Sequence, residues 1–120
     1  MTGKNIFDFA RVVRAAGYSG TGLRWLCAYE CAFRQELALF AVLLGLSLVR
    51  GMTIPALAVE IGLMSLILLV EALNTALEKL VDRISLERHP QSALVKDIGS
   101  AAVALSFVPL AAFWVVELYA

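Results

Sequence analysis

The sequence has few residues that could bind a transition metal or form disulfide bonds. It contains one histidine, His89, and two cysteines, Cys27 and Cys31, in 120 residues. The cysteines are four residues apart, so they share one helix face, and no further Cys or His pair completes a metal site. We therefore expect small packing residues here rather than a zinc site or a disulfide framework.

Charge is also scarce. Charged residues make up 17% of the chain and hydrophobic residues 61%, the formal net charge is zero, and the mean hydropathy is +0.83. A soluble domain is about 25% charged and about 45–50% apolar. The zero net charge gives no reason to expect nucleic acid as a partner. The apolar excess predicts a membrane-embedded helical protein, and the length predicts a single domain over residues 1–120.

The start of the chain lacks the long apolar stretch of a cleaved signal peptide, and we expect none. Residues 5–16 instead mix apolar side chains with Asp8, Arg11 and Arg14. This pattern predicts an amphipathic helix on a membrane surface, with its arginines toward lipid phosphates. An ordinary surface helix is the alternative interpretation.

A glycine-containing segment, 17–22, follows the predicted surface helix. It predicts a turn, with Ser19 or Thr21 capping the next helix. The segment resembles a phosphate-binding loop, but it lacks the Lys-Ser/Thr that a P-loop requires. From Leu23 to about Val49 the pattern predicts one continuous helix.

Three apolar stretches predict membrane spans at about 31–50, 55–80 and 98–118. The third contains the uncharged run Ile98–Val116, which is long enough to span by itself, whereas the first two have charges near their ends. Glu60 is expected at the interface, and Pro109 predicts a kink in the third span. Residues 82–96 are polar and predict a loop. We find no internal repeat.

Lysine and arginine concentrate in residues 1–36 and 79–97. The positive-inside rule therefore predicts a cytoplasmic N-terminus and a cytoplasmic second loop, with the C-terminus on the outer side. Trp114 and Tyr119 suit an aromatic belt at the outer interface.

An acidic stripe runs along the second span. Glu71, Asn74, Glu78 and Asp82 are spaced by three, four and four residues, which places them on one helix face. A carboxylate at mid-bilayer costs roughly 2.5–3.5 kcal/mol on insertion scales, so the stripe requires a cation, a basic partner or a proton. Interhelical hydrogen bonds and interface salt bridges are the structural alternative.

Residues at the ends of the other two spans reach the same depth, namely Glu30, Lys96 and Asp97. Carboxylates, an amide and a lysine are suited to bind Mg²⁺ together with phosphate groups. Enzymes of phosphoryl transfer require such a set of side chains. Glu71 lies deepest in the stripe and is therefore the candidate general base. Glu78 and Glu30 are better placed to bind a metal.

Several runs of the sequence resemble the bacterial diacylglycerol kinase family. They are AAGYS (15–19), GLR (22–24), ECAFRQE (30–36), VEALNTALE (70–78), VDRI (81–84) and KDIGSAAV (96–103). The FRQE form resembles the Gram-negative branch more than the undecaprenol kinases of Gram-positive bacteria. Gly20-Thr21, Glu60 and Arg88 depart from the family pattern, but none of them removes a catalytic group.

The resemblance implies a homotrimer in the bacterial inner membrane that uses Mg²⁺ and ATP to convert diacylglycerol to phosphatidic acid. It implies that Glu71 is the base and that Glu30 and Glu78 hold the metal. The implied ATP-binding residues are Arg11, Tyr18, Ser19, Glu30, Asn74, Glu78, Glu87, Arg88, His89, Lys96 and Asp97. The implied lipid-binding residues are Arg11, Arg24, Trp25, Leu26, Cys27, Ala32, Phe33, Arg34, Gln35, Glu36, Glu71, Ser100 and Trp114.

Three other functions compete with this prediction. The first is an undecaprenol kinase of the same family. The second is a small transporter that uses Glu71 as a proton site, although the inverted repeats or broken paired helices of transporters are not apparent. The third is a non-enzymatic membrane subunit. Three helices of this length cannot enclose both ATP and a lipid, so a kinase of this kind is expected to complete its site with a second protomer.

Overall fold

The computed structural model describes residues 6–120 and folds them into α-helices. The helices are α1 Phe9–Tyr29, α2 Cys31–Val49, α3 Ile54–Ile84, α4 Pro90–Ser106 and α5 Val108–Tyr119. The central helix, α3, packs against α2, α4 and α5, and α1 packs against α2. Three segments are long and apolar enough to cross a membrane: α2, α3, and α4 together with α5. This architecture fits the predicted all-α membrane protein.

The first helix continues through the glycine-containing segment, so the turn predicted at 17–22 is wrong. Ser19 and Thr21 do not cap a new helix. Their hydroxyl groups donate to the carbonyls of Ala15 and Gly17 on the preceding turn, at 3.0 and 3.1 Å. Each glycine costs a helix only about 1 kcal/mol relative to alanine, and the rest of the segment continues the helix. The helix predicted over 5–16 instead begins at Phe9 and continues to Tyr29, and residue 5 lies outside the described residues.

A break at Glu30 contradicts the continuous helix predicted from Leu23 to Val49. Glu30 has extended backbone angles (φ −103°, ψ 108°), ends α1 and precedes α2. Arg34 reaches back across the break, and its Nη1 donates to the carbonyls of Ala28 (2.7 Å) and Cys27 (3.4 Å). These carbonyls lose helical partners at the end of α1, and a cation satisfies them well because the helix dipole is negative there.

A short turn at residues 50–53 joins α2 to α3, and we call this side of the bundle the turn end. Gly51 has a φ of +71°, which glycine adopts without strain. The amides of Gly51 and Met52 donate to the last carbonyls of α2, at 3.1 and 3.0 Å. The Thr53 hydroxyl then accepts from the Ala56 amide at 3.4 Å and caps α3.

The opposite side of the bundle, the loop end, has a much shorter loop than the predicted 82–96. Only residues 85–89 separate α3 from α4. His89 Nδ1 accepts from the Gln91 amide at 3.1 Å, and Pro90 occupies the first helical position, so this local pattern starts α4 early. The helix is interrupted at Phe107, between α4 and α5 and two residues before Pro109, where the sequence predicts a kink.

The buried core lies around α3. Phe40, Met64, Ile67 and Leu110 form one apolar cluster. The buried residues of α3 recur at the spacing of one helix face, and they are Glu60, Met64, Ile67, Glu71 and Thr75. Many large apolar side chains of the other faces are exposed in the single chain. Such faces suit contact with lipid or with other protomers.

Candidate active site at the loop end

Two buried carboxyl groups meet between α2 and α3. Glu71 is 6% exposed and Glu36 is 8% exposed, and the two carboxyl groups lie within hydrogen-bonding reach of each other. Oε2 of Glu36 is buried and has no hydrogen-bond donor in the described part of the chain. Adjacent carboxylates repel each other unless a proton or a cation compensates them. The sequence placed Glu36 only among the lipid-binding residues, and the spacing along one helix could not reveal a pair between two helices.

The charges of Glu30 and Glu78 also act on Glu71. Glu30 lies at the break between α1 and α2, where extended backbone takes its side chain out of the regular helix. We call Glu30, Glu36, Glu71 and Glu78 the acidic cluster. Within residues 6–120, no three His, Cys, Asp or Glu side chains lie close enough together to hold a metal ion by themselves. Any ion at this cluster would therefore need other ligands.

Asn74 extends the acidic cluster toward α4. Its Nδ2 donates to Glu78 Oε1 at 3.4 Å, and its Oδ1 is buried without a donor among residues 6–120. This oxygen lies against Gly99, so a Cβ at Gly99 would overlap it. The close approach of α4 therefore depends on glycine, and it leaves a buried oxygen acceptor beside the cluster.

The loop end holds a cavity of about 580 Å³ between the end of α3 and the start of α4. Four of the residues expected to bind ATP line it: Glu87, Arg88, His89 and Lys96. Lys96 Nζ pairs with Asp82 Oδ1 at 2.9 Å. Asp82 belongs to the acidic stripe, but its lysine partner could not be identified from one helix. Asp97, also expected to bind ATP, is exposed and does not line this cavity.

The three expected ATP-binding residues of α1 do not line this cavity. Arg11, Tyr18 and Ser19 are exposed. Ser19 precedes Glu30 by eleven residues, which is about 16 Å along a helix. The backbone amide of Arg11 donates to Asp8 Oδ1 at the start of α1. The Ser19 hydroxyl donates to the Ala15 carbonyl within α1.

The expected lipid-binding residues are spread over several places. Trp25 and Leu26 line a groove between α1 and α3 of about 290 Å³, where Lys79 Nζ lies 5.1 Å from the centre of the Trp25 ring. Trp114 lies elsewhere, at the turn end of the bundle. Its Nε1 donates to Glu60 Oε1 at 3.2 Å.

The other expected lipid-binding residues divide by exposure. Ala32 is half-buried and Phe33 is buried, whereas the remaining ones are exposed, namely Arg24, Cys27, Arg34, Gln35 and Ser100. Cys27 and Cys31 are free, as expected, but both are exposed. The prediction that they are packing residues is therefore wrong for the single chain.

Comparison with known proteins identifies the family. Residues 17–118 match the family described as prokaryotic diacylglycerol kinase. The diacylglycerol kinase of Escherichia coli K12 is 39% identical over 117 residues, which cover 96% of this chain and 94% of that protein. The diacylglycerol kinase of Pseudomonas aeruginosa is 39% identical over 104 residues, covering 87% and 85%. That of Haemophilus influenzae is 35% identical over 103 residues, covering 86% and 87%. The chain therefore belongs to the prokaryotic diacylglycerol kinase family.

Proposed function

We propose that this chain transfers the γ-phosphoryl group of ATP to the free hydroxyl of diacylglycerol, forming phosphatidic acid, with Glu71 as the general base. Membership of the family makes the chain a kinase, and the names of its relatives give diacylglycerol as the lipid substrate. The observation that carries the assignment of the base is the burial of Glu71 within the acidic cluster of a long apolar helix.

Glu71 would accept the proton of the lipid hydroxyl as the oxygen attacks the γ-phosphorus, while the bond from that phosphorus to the β–γ bridging oxygen breaks and ADP leaves. A general base of this kind contributes about 10²- to 10⁴-fold to a rate. Glu36, beside it, would fix the orientation of the Glu71 carboxyl. Because both groups are almost entirely buried, water has little access to the reacting oxygen, and this favours transfer to lipid over hydrolysis of ATP.

The oxygen ligands at the cluster fit Mg²⁺. Glu30 and Glu78 supply carboxylates, Asn74 supplies a buried oxygen without a donor, and a Mg²⁺ shell commonly takes one or two carboxylates with phosphate oxygens and water. When bound, Mg²⁺ would neutralise charge on the phosphates and so favour attack at the γ-phosphorus. Since a phosphate chain would supply the missing ligands, a protein-only metal site is not required.

The cavity at the loop end would receive the nucleotide. Lys96 would neutralise phosphate charge, and its ion pair with Asp82 holds it at the rim between α3 and α4. The neighbouring loop residues Glu87, Arg88 and His89 would contact the adenosine end. The remaining residues of the predicted ATP site, Asp97 and those of α1, would complete it.

We further propose that the active site is shared between protomers of a homotrimer in the inner membrane. Arg11, Tyr18 and Ser19 are exposed on α1 and do not line the loop-end cavity of their own chain. Placed over a neighbouring protomer, α1 would bring them to that protomer's nucleotide. The proposed orientation keeps the N-terminus and the loop at 85–89 in the cytoplasm, where ATP is available, and the C-terminus in the periplasm.

The proposed substrate is tested by offering diacylglycerol and undecaprenol side by side to the purified protein with Mg²⁺ and ATP. We expect phosphatidic acid as the main product. Preferential phosphorylation of undecaprenol would replace the proposed substrate by a polyprenol. A folded oligomer that phosphorylates neither lipid would contradict kinase activity and favour the non-enzymatic alternative.

A further inference from the structure

A second buried glutamate lies at the turn end, away from the acidic cluster. Glu60 is completely buried. The Ser47 hydroxyl of α2 donates to its Oε2 at 2.7 Å, and Trp114 Nε1 of α5 donates to its Oε1 at 3.2 Å. The sequence predicted Glu60 at the membrane interface because it lies near the start of a span. In the structure the side chain does not face outward, because two other helices enclose it.

This arrangement fixes the indole ring of Trp114. A buried carboxyl group is costly unless hydrogen-bonded, so both Glu60 oxygens require their donors. Only one indole orientation directs Nε1 to Oε1, and the ring also packs against the apolar cluster of Phe40, Met64, Ile67 and Leu110. Trp114 nevertheless remains partly exposed. One side of the ring is therefore held by the bundle while another part faces outward.

The distance between Glu60 and Glu71 along α3 is close to the length of a lipid acyl chain. Glu60 and Glu71 lie on the same buried face of α3, and eleven residues span about 16 Å along a helix. A bilayer's hydrocarbon core is about 30 Å thick, so one leaflet of acyl chains occupies about 15 Å. A lipid with its hydroxyl at Glu71 and its chains along the bundle therefore ends near the depth of Trp114.

We propose that Glu60 is a positioning residue for lipid recognition, which holds Trp114 as the far wall of the acyl-chain site. This inference rests on the proposed function, because it assumes that the lipid hydroxyl is bound at Glu71. In this proposal, residues at the turn end determine the preference for acyl-chain length, and residues at the loop end carry out phosphoryl transfer. Glu60 itself touches neither the lipid hydroxyl nor ATP.

The kinetic test compares a long-chain and a short-chain diacylglycerol, dioleoylglycerol and dihexanoylglycerol, as substrates for Glu60→Leu and Glu60→Gln. The leucine variant removes the acceptor for Trp114 Nε1. We expect it to raise KM for dioleoylglycerol about fivefold, the effect of losing one net hydrogen bond. KM for dihexanoylglycerol and KM for ATP should stay unchanged. Glu60→Gln retains an acceptor and should restore the long-chain KM.

Two further variants control this experiment. Ser65→Ala removes a hydroxyl that bonds only to its own helix, at Ile61 O, and should leave both lipid KM values unchanged. Trp114→Phe keeps an aromatic ring but removes the N–H. It should raise the long-chain KM as Glu60→Leu does, and the double variant should show no further increase, because both changes act on the same contact. If Glu60→Leu does not assemble, Trp114→Phe makes the same prediction.

Fluorescence tests the inference without catalysis. The chain has two tryptophans, so the emission that is present in the wild type and lost in Trp114→Phe is that of Trp114. Diacylglycerol brominated near the ends of its acyl chains should quench this emission, and Glu60→Leu should weaken the quenching. If the protein phosphorylates no lipid, the proposed function fails while this measurement still reports whether acyl chains reach Trp114.

The results that overturn the inference are specific. The inference fails if the brominated chains do not quench Trp114 emission. It also fails if Glu60→Leu changes KM equally for the long and the short lipid, or if the long-chain KM is unchanged in both Glu60→Leu and Trp114→Phe. A fall of kcat with a rise in KM for ATP would make Glu60 a structural residue only.

Discussion

The carboxamide oxygen of Asn74 occupies the space in which a side chain at Gly99 would begin. This contact joins α3 and α4 beside the acidic cluster, and it lets the two backbones approach closely. Gly99 is therefore needed for its lack of a side chain rather than for backbone freedom, since it lies inside a regular helix.

Gly99→Ala should destabilise the protein and lower its kinase rate, because the new methyl group displaces the Asn74 side chain. Overpacking of this kind costs about 1–3 kcal/mol. The free energy of unfolding, measured by SDS titration in mixed micelles, checks the first effect and initial rates check the second. Gly62→Ala is the matched control, since a Cβ there meets nothing within 4 Å. Equal unfolding midpoints for the two variants would contradict the contact.

Arg34→Ala should lower kcat by loosening the break that positions Glu30. The variant frees the carbonyls of Ala28 and Cys27, which Arg34 now satisfies, and each lost hydrogen bond is worth about 1 kcal/mol. We expect about a tenfold lower kcat at saturating lipid and ATP, with partial recovery in Arg34→Lys. Arg14→Ala is the control, because Arg14 pairs with Asp8 at the far end of α1. A change confined to KM for the lipid would instead support the predicted lipid contact.

Asp82→Asn should raise KM for ATP while leaving stability nearly unchanged. The ion pair with Lys96 is 2.9 Å long, and both side chains are more than two-fifths exposed. Exposed pairs contribute only about 0–1 kcal/mol to folding, whereas Lys96 without its partner no longer has a fixed position at the cavity. We expect about a fivefold rise in KM for ATP with an unchanged unfolding midpoint. An unchanged KM would show that Lys96 is positioned without Asp82.

Mixed oligomers should recover activity from two inactive chains if active sites are shared. Arg11→Ala removes a residue of α1, and Glu71→Gln removes the base. In a mixed oligomer, the intact Arg11 of the second chain can join the intact Glu71 of the first. We expect each homo-oligomer to be nearly inactive and the co-refolded mixture to be active. Failure to complement in a verified mixed oligomer would place the whole site within one chain.

The helical spans follow from the sequence because apolar length is a strong signal. The uncharged run from Ile98 and the proline at 55 locate helices in the structure. The ends of α1 were not predictable in the same way. Glycines at 17–22 suggested a turn, but Ser19 and Thr21 satisfy carbonyls of their own helix. The real break at Glu30 has neither glycine nor proline, and it depends on Arg34 reaching back from α2.

The acidic stripe was predictable from spacing along α3, whereas its partners were not. Asp82 and its partner Lys96 are 14 residues apart in the sequence, and Glu60 and its partner Ser47 are 13 apart. Such pairs depend on how helices pack, which periodicity along one helix does not determine. The burial of Glu60 was likewise not predictable from the sequence. Its position near the start of a span suggested the membrane interface, whereas in the structure its neighbours on α2 and α5 bury it.

The central claim is that Glu71 is the base for phosphoryl transfer to diacylglycerol, and Glu71→Gln tests it most directly. This variant keeps the shape of the side chain but removes the proton acceptor. Glu117→Gln, at the turn end, is the matched control for loss of a carboxylate. Single-turnover transfer of labelled γ-phosphate from ATP to diacylglycerol should fall about 10²- to 10⁴-fold in Glu71→Gln and stay near the wild-type rate in Glu117→Gln, with the oligomer intact in both. Wild-type transfer by an intact Glu71→Gln oligomer would contradict the claim.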